Sequence, residues 1–314
     1  MNLSIVIPAY NEAENIKLTI QELISAVNEI PEVEKFDIIV IDDHSIDNTF
    51  KVVESIDNSR IRCLRLSRRS GSHIAIRAGM KAANGDVVLC LSADGQDNSA
   101  CLREMLAKWL QGVHVVWALR KDRKCEPWYI RRPAKLFYKI LILLGGAGRS
   151  NIDLSMAGFC MLDKVVVDAL NKCAERNSSI FGLIAWLGFS QDFVLYQRRP
   201  RRSGRSKWCF TDNLRLAKDW IVGFSGLPLT LIFIFGALMI GTGLFSAMWI
   251  VSKVILGKSI SNSILVIIAL LVFSGIQMMM LGVLGEYIWN NLEEARHRPL
   301  YFIEKETAGI KVNE

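Results

Sequence analysis

The sequence predicts an α/β domain with a mostly parallel sheet, followed by two C-terminal transmembrane helices. Two observations lead to this fold class. Short apolar segments alternate with segments of helical periodicity over residues 1–97, and two long segments near the carboxyl end carry no charge. Regular alternation of strands and helices produces parallel sheets with helices on both faces. Long uncharged segments are typical of membrane spans.

Four buried strands are predicted in the amino-terminal part, and helices connect them. The strands are expected at residues 3–8, 36–41, 61–66 and 87–91, and the helices at 11–27, 48–55 and 72–83. Asn11 is expected to cap the first helix, because Glu14 follows it in capping-box register.

The charge distribution divides the 314 residues into two parts. The chain is 51% hydrophobic and 22% charged, with a net charge of +7. Residues 221–252 and 259–285 nonetheless contain no charged side chain. This distribution excludes a purely soluble enzyme, a disordered chain and a many-pass transporter.

The uncharged segments are predicted to form a transmembrane hairpin. A helix over residues 228–251 would be about 36 Å long, enough to cross a hydrocarbon core of about 30 Å, and a second over 264–288 is similar. Basic residues cluster before the first span and after the second, which places the large domain and the tail in the cytoplasm. Four units are expected. The main domain covers residues 1–209 and includes an interfacial amphipathic helix near 130–144. A juxtamembrane interfacial helix at 210–226, the hairpin at 227–290 and a tail at 291–314 follow it.

Several other site types are not expected. The seven cysteines are scattered without a Cys-x-x-Cys pair, which indicates neither a disulfide framework nor a zinc site and favours a reducing compartment. His73, His114 and His297 are isolated, and we interpret them as structural or surface residues. The basic run at 198–207 has a single aromatic neighbour, Trp208, so lipid phosphates and anionic membrane lipids are favoured over nucleic acid.

Polar side chains follow three of the predicted strands. Residues 8–12 end the first strand, Asp42 and Asp43 end the second, and residues 94–97 end the fourth. In an open parallel sheet the carboxyl ends of the strands share one edge, where ligands bind. Carboxylate and amide oxygens suit a hard divalent cation that also binds a diphosphate. Dinucleotide-binding and P-loop glycine motifs do not occur in the sequence.

These segments resemble a known family. SIVIPAYNE at 4–12, DDHSIDNT at 42–49 and ADGQD at 93–97 look like the inverting family-two glycosyltransferases of GT-A (Rossmann-like) fold. RRSGRSKW at 201–208, the predicted hairpin and the tail motifs GEY and RPLY look like the polyprenyl-phosphate glycosyltransferases. This group includes dolichyl-phosphate mannose synthases and bacterial undecaprenyl-phosphate glucosyltransferases, and the resemblance covers nearly the whole chain.

The resemblance implies an inverting, metal-dependent hexosyltransferase at a bacterial inner membrane. It would transfer a sugar from a nucleotide-sugar, with a UDP-sugar favoured, to a polyprenyl phosphate for a lipopolysaccharide or another cell-envelope glycan. Mg²⁺ or Mn²⁺ is implied as cofactor, and a homo-oligomer, a tetramer by resemblance, is expected. The implied nucleotide-binding residues are Pro8, Tyr10, Glu12, Asp43 and Ser45; the metal ligands Asp94 and Gln96; the catalytic acids Asp94, Asp97 and Asp153; and the phosphate-binding residues Arg201, Arg205 and Lys207.

The sequence departs from the family pattern around this site. Ser92 stands where the family usually has the first Asp of Asp-x-Asp, and His44 stands where it usually has Gly. Gly158 and Cys160 replace the acid and the arginine of a Gly-Asp-Phe-Arg motif, and Asp153 is the candidate substitute for that acid. The alternative function is therefore a catalytically impaired membrane paralogue that acts as a scaffold or partner for a flippase or another glycosyltransferase.

Overall fold

A computed structural model describes residues 1–97, 99–121, 152, 156–173, 179–199, 263–296 and 298–307, with isolated positions between 234 and 256. Over these residues the chain forms an eight-stranded sheet in the order β7-β5-β6-β4-β1-β2-β3-β8. The strands are β1 (Asn2–Ala9), β2 (Lys35–Asp42), β3 (Ile61–Leu66), β4 (Val87–Cys90), β5 (Val115–Arg120), β6 (Ala157–Asp163), β7 (Gln191–Tyr196) and β8 (Ile303–Glu306).

Seven α-helices have both of their ends within the described residues. They are α1 (Ile16–Asn28), α2 (Thr49–Glu54), α3 (Ser72–Ala82), α4 (Leu102–Leu110), α5 (Lys164–Lys172), α6 (Ile180–Trp186) and α7 (Ser263–Ala295). The four strands and three helices predicted over residues 1–91 are confirmed, with small differences in their bounds. The amino end of α1 is the largest difference, since this helix begins at Ile16 and not beside Asn11.

The sheet is mostly parallel, as predicted. β1, β2, β3 and β4 are parallel neighbours, and β5 and β7 pair in parallel with each other. β6 is antiparallel to both β4 and β5, so β5 and β7 run in the same direction as the first four strands. The carboxyl ends of six strands therefore lie on one edge of the sheet.

Apolar side chains cover both faces of this sheet. Alternate residues of β1 point to opposite faces. Ile5 belongs to an apolar cluster with residues of α1, α2 and α4, whereas Val6 belongs to a second cluster with residues of α3, α5 and α6. Described cysteines 63, 90, 101 and 160 are buried among these apolar residues, and Cys173 is half-buried. These five described cysteines are free thiols.

The tail returns to the sheet. β8 pairs antiparallel with β3, and Thr307 extends the pairing because its backbone N–H donates to the Cys63 carbonyl at 3.0 Å. The sequence predicts residues 291–314 as a tail, and Ile303–Glu306 within it forms an edge strand of the sheet. This edge strand lies beside β3, the strand that supports the β2 loop.

The predicted membrane segments are described in part. Much of residues 228–251 and the whole of the segments at 130–144 and 210–226 lie outside the described residues. Among the helical residues that the structure does describe, no helix combines the length and the apolarity needed to cross a membrane.

Candidate active site

The loops that follow β1, β2 and β4 lie side by side. These strands are adjacent in the sheet, and Ala9 at the end of β1 is in register with Asp42 at the end of β2. The three polar segments that the sequence placed on one edge are therefore neighbours. β7 ends on the same edge, which adds Tyr196 and the residues after it to the cleft.

Asn11 links the β1 loop to the β2 loop. Its backbone N–H donates to Ser45 Oγ at 2.9 Å, and its side-chain Oδ1 accepts from the Ile46 N–H at 2.9 Å. Its φ of 53° is in the left-handed region that asparagine tolerates. The prediction that Asn11 caps α1 is wrong, because these contacts hold its side chain against the β2 loop. Glu12 follows the same pattern, donating its backbone N–H to Thr49 Oγ1 at 2.9 Å.

His44 also has a left-handed backbone, with a φ of 57°. A residue with a Cβ is disfavoured in this conformation, whereas glycine adopts it readily. This explains physically why glycine is usual at this place in the resembling family. The His44 side chain has local partners, since Nδ1 lies 3.1 Å from the Leu66 carbonyl and 3.5 Å from Glu304 Oε2.

Asp43 holds the loop before α3. Its two carboxylate oxygens accept from the backbone N–H groups of Ser70 at 2.6 Å and Gly71 at 2.8 Å. Burial raises the pKa of Asp43, and the two N–H contacts oppose that change. Tyr10 lies on the same side of the cleft, with the Arg69 guanidinium 4.3 Å from the centre of its ring. Of the predicted nucleotide-binding residues, Asp43 is therefore buried and stabilises a loop, whereas the ring of Tyr10 contacts the Arg69 cation.

Arg65 supports the β2 loop from β3, and sequence reasoning missed it. Its guanidinium donates to Asp42 Oδ2 at 2.6 Å and to the Ser45 carbonyl at 3.0 Å, and its Nε reaches Glu304 of β8 at 3.2 Å. The Asp42 side chain is fully buried, so this guanidinium balances a buried charge. Arg65 lies near the carboxyl end of the predicted third strand, and this position could have indicated a contact with the loop that follows the second strand.

The turn after β4 contains the predicted metal ligands. Ser92 Oγ lies 2.8 Å from Asp94 Oδ1 and 2.5 Å from Asp97 Oδ2, and the Gln96 N–H donates to Asp94 Oδ1 at 3.1 Å. Ser92, at the place where the family usually has an acid, therefore bridges the two remaining carboxylates. Asp94 Oδ1 therefore accepts from the turn itself, whereas Oδ2 lies 4.0 Å from the Arg198 guanidinium.

Asp97 lies beneath this turn. Oδ2 accepts from the Ser92 N–H at 2.8 Å, and Oδ1 accepts from Tyr196 Oη at 3.1 Å. Burial, more than any other factor, raises the pKa of Asp97. Both oxygens of Asp97 accept hydrogen bonds from within the protein, and its side chain lines a pocket together with Ser92 and Gly95. These contacts suit a positioning role, and the catalytic role of Asp97 stays a prediction.

Arg198 brings a cation to the turn. Its Nη2 donates to Gln96 Oε1 at 2.5 Å and lies 4.0 Å from Asp94 Oδ2. The two predicted metal ligands thus already stabilise a positive charge, and both offer oxygen atoms, as a hard cation requires. Among the described residues, no group of three or more His, Cys, Asp or Glu side chains could hold a metal. The donor set fits a divalent ion that keeps waters and completes its shell with substrate phosphates.

Gly158 and Cys160 lie in β6, below the cleft. Cys160 is fully buried opposite Cys90, and Gly158 lies against the hydroxyl of Tyr196. The remaining predicted residues, Asp153, Arg201, Arg205 and Lys207, lie outside the described residues.

Comparison with known proteins adds to this geometry. Residues 4–169 match the profile of glycosyl transferase family 2. The chain is 36% identical over 306 residues to YkcC, an uncharacterized glycosyltransferase of Bacillus subtilis (strain 168), with 96% of this chain and 93% of the relative covered. It is 29% identical over 311 residues to the bactoprenol glucosyl transferase of Shigella phage SfV, with 98% and 99% covered.

The fold also has a counterpart among solved structures. The crystal structure of a mycobacterial protein is similar over 70% of this chain and 72% of that chain, with a TM-score of 0.51 and 17% identity. At this identity the likeness is one of fold.

Proposed function

Since the chain belongs to glycosyl transferase family 2, we propose that this glycosyltransferase moves a sugar from a nucleotide-sugar, with a UDP-sugar favoured, to a polyprenyl phosphate. The reaction takes place at the cytoplasmic face of a bacterial inner membrane and inverts the anomeric centre. The product is a lipid-linked sugar for modification of a cell-envelope glycan. Assembly into a homo-oligomer, a tetramer by resemblance, belongs to the same proposal.

The observation that carries the proposal is the meeting of Asp94, Gln96 and Arg198 at the carboxyl edge of the sheet. This place has anionic and amide oxygens for a divalent cation and a guanidinium for phosphate oxygens. Nucleotide-sugars present these two requirements together, because a diphosphate binds cations and arginine side chains alike.

The nucleoside half of the donor is assigned to the β1 and β2 loops. Tyr10 offers an aromatic face beside Arg69, and Pro8 and Glu12 lie in the same loop. Asp43 and Ser45 are buried and keep the loops in place through the contacts described above, and we propose that they support the surface that receives ribose and base. The ring, the cation and the acids together suit a polar heterocycle with hydroxyl groups.

The diphosphate half is assigned to the β4 turn. Asp94 and Gln96 would hold Mg²⁺ or Mn²⁺, which when bound supplies positive charge to the departing nucleoside diphosphate. Ser92 contacts Asp94 Oδ1 and is itself held by Asp97, and this arrangement supports a fixed position for the Asp94 carboxylate. Arg201, Arg205 and Lys207 are proposed to bind phosphates of the lipid or the donor, and Asp153 is proposed as the acid that replaces the one missing at Gly158.

The acceptor assignment rests on the relatives and on the charge pattern. The bactoprenol glucosyl transferase relative aligns over nearly the full length of both chains. The uncharged segments at 221–252 and 259–285, preceded by a basic run, suit a membrane hairpin next to an anionic surface. A polyprenyl phosphate is already ionised, so orientation at the membrane surface contributes more than proton removal.

Transfer by the purified full-length protein tests the proposal. The protein in lipid nanodiscs is incubated with undecaprenyl phosphate, Mn²⁺ or Mg²⁺ and a panel of UDP- and GDP-sugars, and glycolipid is detected by mass spectrometry. We expect product with at least one UDP-sugar and none after chelation of the metal. Glycolipid formation is also compared between two variants. Asp94→Asn changes a proposed metal ligand, and Asp192→Asn is its matched control because Asp192 pairs with Lys108 near the opposite end of β7.

Absence of glycolipid with every donor would contradict the enzymatic function. The scaffold alternative would then stand, and it would be supported further if the protein co-purified with a flippase or a second glycosyltransferase.

A further inference from the structure

Arg198 is held at the β4 turn by more than its side chain. The Arg199 backbone N–H donates to the Gln96 carbonyl at 3.0 Å, and the Gln96 side-chain Nε2 donates back to the Arg199 carbonyl at 3.2 Å. The segment that leaves β7 is therefore paired with the turn that contains Asp94 and Gln96. This pairing fixes the origin of the Arg198 side chain beside the two oxygen atoms.

The guanidinium and a divalent ion would need the same oxygens. A divalent ion binds oxygen ligands at about 2.0–2.6 Å. Arg198 Nη2 is 2.5 Å from Gln96 Oε1, so an ion bound to that oxygen would lie only a few ångströms from the guanidinium. Two positive charges at such a distance repel each other, and the Arg198 side chain, 36% exposed, has solvent into which it can turn.

We propose that Arg198 occupies the metal ligands in the metal-free protein and is displaced when a divalent cation binds. The guanidinium keeps Asp94 and Gln96 aligned and lowers the affinity for metal in the absence of substrate. After displacement it is close to the diphosphate that the metal would bind. Arg198 is thus a positioning residue, and the inference rests on the proposed metal-dependent function of the same turn.

Arg199 provides a matched control. It is adjacent in sequence and exposed to a similar extent, but its guanidinium points to Glu22 of α1 at 3.4 Å. Removal of either arginine changes the net charge near the turn by the same amount. Arg199 contacts Gln96 through its backbone, and a substitution of its side chain leaves that pairing possible, whereas Arg198 contacts the proposed ligands through its guanidinium.

Mn²⁺ binding to the full-length protein tests the inference directly. Free Mn²⁺ is measured by electron paramagnetic resonance in nucleotide-free titrations of wild type, Arg198→Met, Arg199→Met and Asp94→Asn. Methionine keeps most of the aliphatic part of the side chain, removes the charge and adds no oxygen ligand. We expect Arg198→Met to bind Mn²⁺ about threefold to fivefold more tightly, the scale of one partly exposed charged contact, and Arg199→Met to stay within about twofold of wild type. Asp94→Asn is expected to lose the site.

Equal affinities in the two arginine variants, or weaker binding by Arg198→Met, would overturn the inference. If those results came with metal-dependent glycolipid formation, the proposed function would stand and the displacement of Arg198 alone would fail. If neither wild type nor Arg198→Met bound Mn²⁺, both the inference and the metal part of the proposed function would fail. Binding that is unaffected by Asp94→Asn would place the metal elsewhere and overturn the inference as well.

Discussion

The hydroxyl of Tyr196 occupies the space that a Cβ atom at position 158 would need. Tyr196 is 2% exposed and packs against Phe159 with a centroid separation of 5.1 Å, while its Oη donates to Asp97. Glycine at 158 therefore follows from the tyrosine of β7. Gly158, which departs from the family motif, and Tyr196 fit each other, because the hydroxyl of Tyr196 fills the space that the glycine leaves.

Gly158→Ala is expected to destabilise the protein by about 1–3 kcal/mol, the usual cost of overpacking a filled core. In a Tyr196→Leu background the same substitution should cost little, because the atoms it meets are gone. Thermal unfolding of the four proteins in this double-mutant cycle measures the coupling. Additive effects of the two substitutions would show that Tyr196 is not the reason for the glycine.

Arg65→Met should destabilise the protein and weaken donor binding. The substitution removes the guanidinium from the fully buried Asp42 and from the Ser45 carbonyl, and loss of one partner of such a pair costs about 3–5 kcal/mol. The KM for the donor should rise because the β2 loop loses its support. Denaturant unfolding and donor titration measure the two effects.

Glu304→Gln is the control for Arg65→Met. Glu304 contacts the same guanidinium from β8 but is 39% exposed, so its loss should cost less than about 1 kcal/mol. A larger effect from Glu304→Gln than from Arg65→Met would contradict the assignment of Arg65 as the support of the loop.

Stability should fall in mild acid because of His73. Burial lowers the pKa of this histidine to about 4, whereas an unfolded histidine titrates near 6.5. The unfolded state therefore binds a proton first, and stability present above pH 6.5 is lost as the pH falls toward 4. The loss should reach about 2 kcal/mol by pH 5.

His73→Asn should remove most of this pH dependence. The His73 Nδ1 atom lies 3.4 Å from the Ile180 N–H, and an asparagine oxygen can accept the same contact. The melting temperature between pH 7 and pH 5 is compared with that of wild type. A flat profile in the wild type itself would refute the prediction.

Asp94→Asn and Asp97→Asn should have different consequences. Loss of the Asp94 charge should reduce turnover at least about a hundredfold with a nearly unchanged melting temperature, because a metal contributes several kcal/mol to the departure of a charged group. Asp97→Asn keeps the shape and an accepting oxygen beneath the turn, so turnover should fall only a few-fold. An equally large loss for Asp97→Asn would make Asp97 a direct participant in the reaction.

Periodicity and strand-end chemistry predicted much of the fold and of the candidate site. The four parallel strands, their helices and the meeting of the β1, β2 and β4 loops follow from residues that are close in sequence. Asn11 was misjudged because its partners are Ser45 and Ile46, in another loop. Local rules for helix capping do not include such distant acceptors and donors.

The sequence by itself determined where each buried strand ends, because the apolar run stops there and polar residues begin. It thereby determined which side chains lie at the carboxyl edge of the sheet. Tertiary structure alone decided what those residues contact. β8 reaches β3 across more than two hundred residues, and Arg198 reaches Gln96 because β7 ends on the edge where β4 ends. Contacts of this kind depend on strand order, and strand order is fixed by packing between distant segments, which local periodicity does not encode.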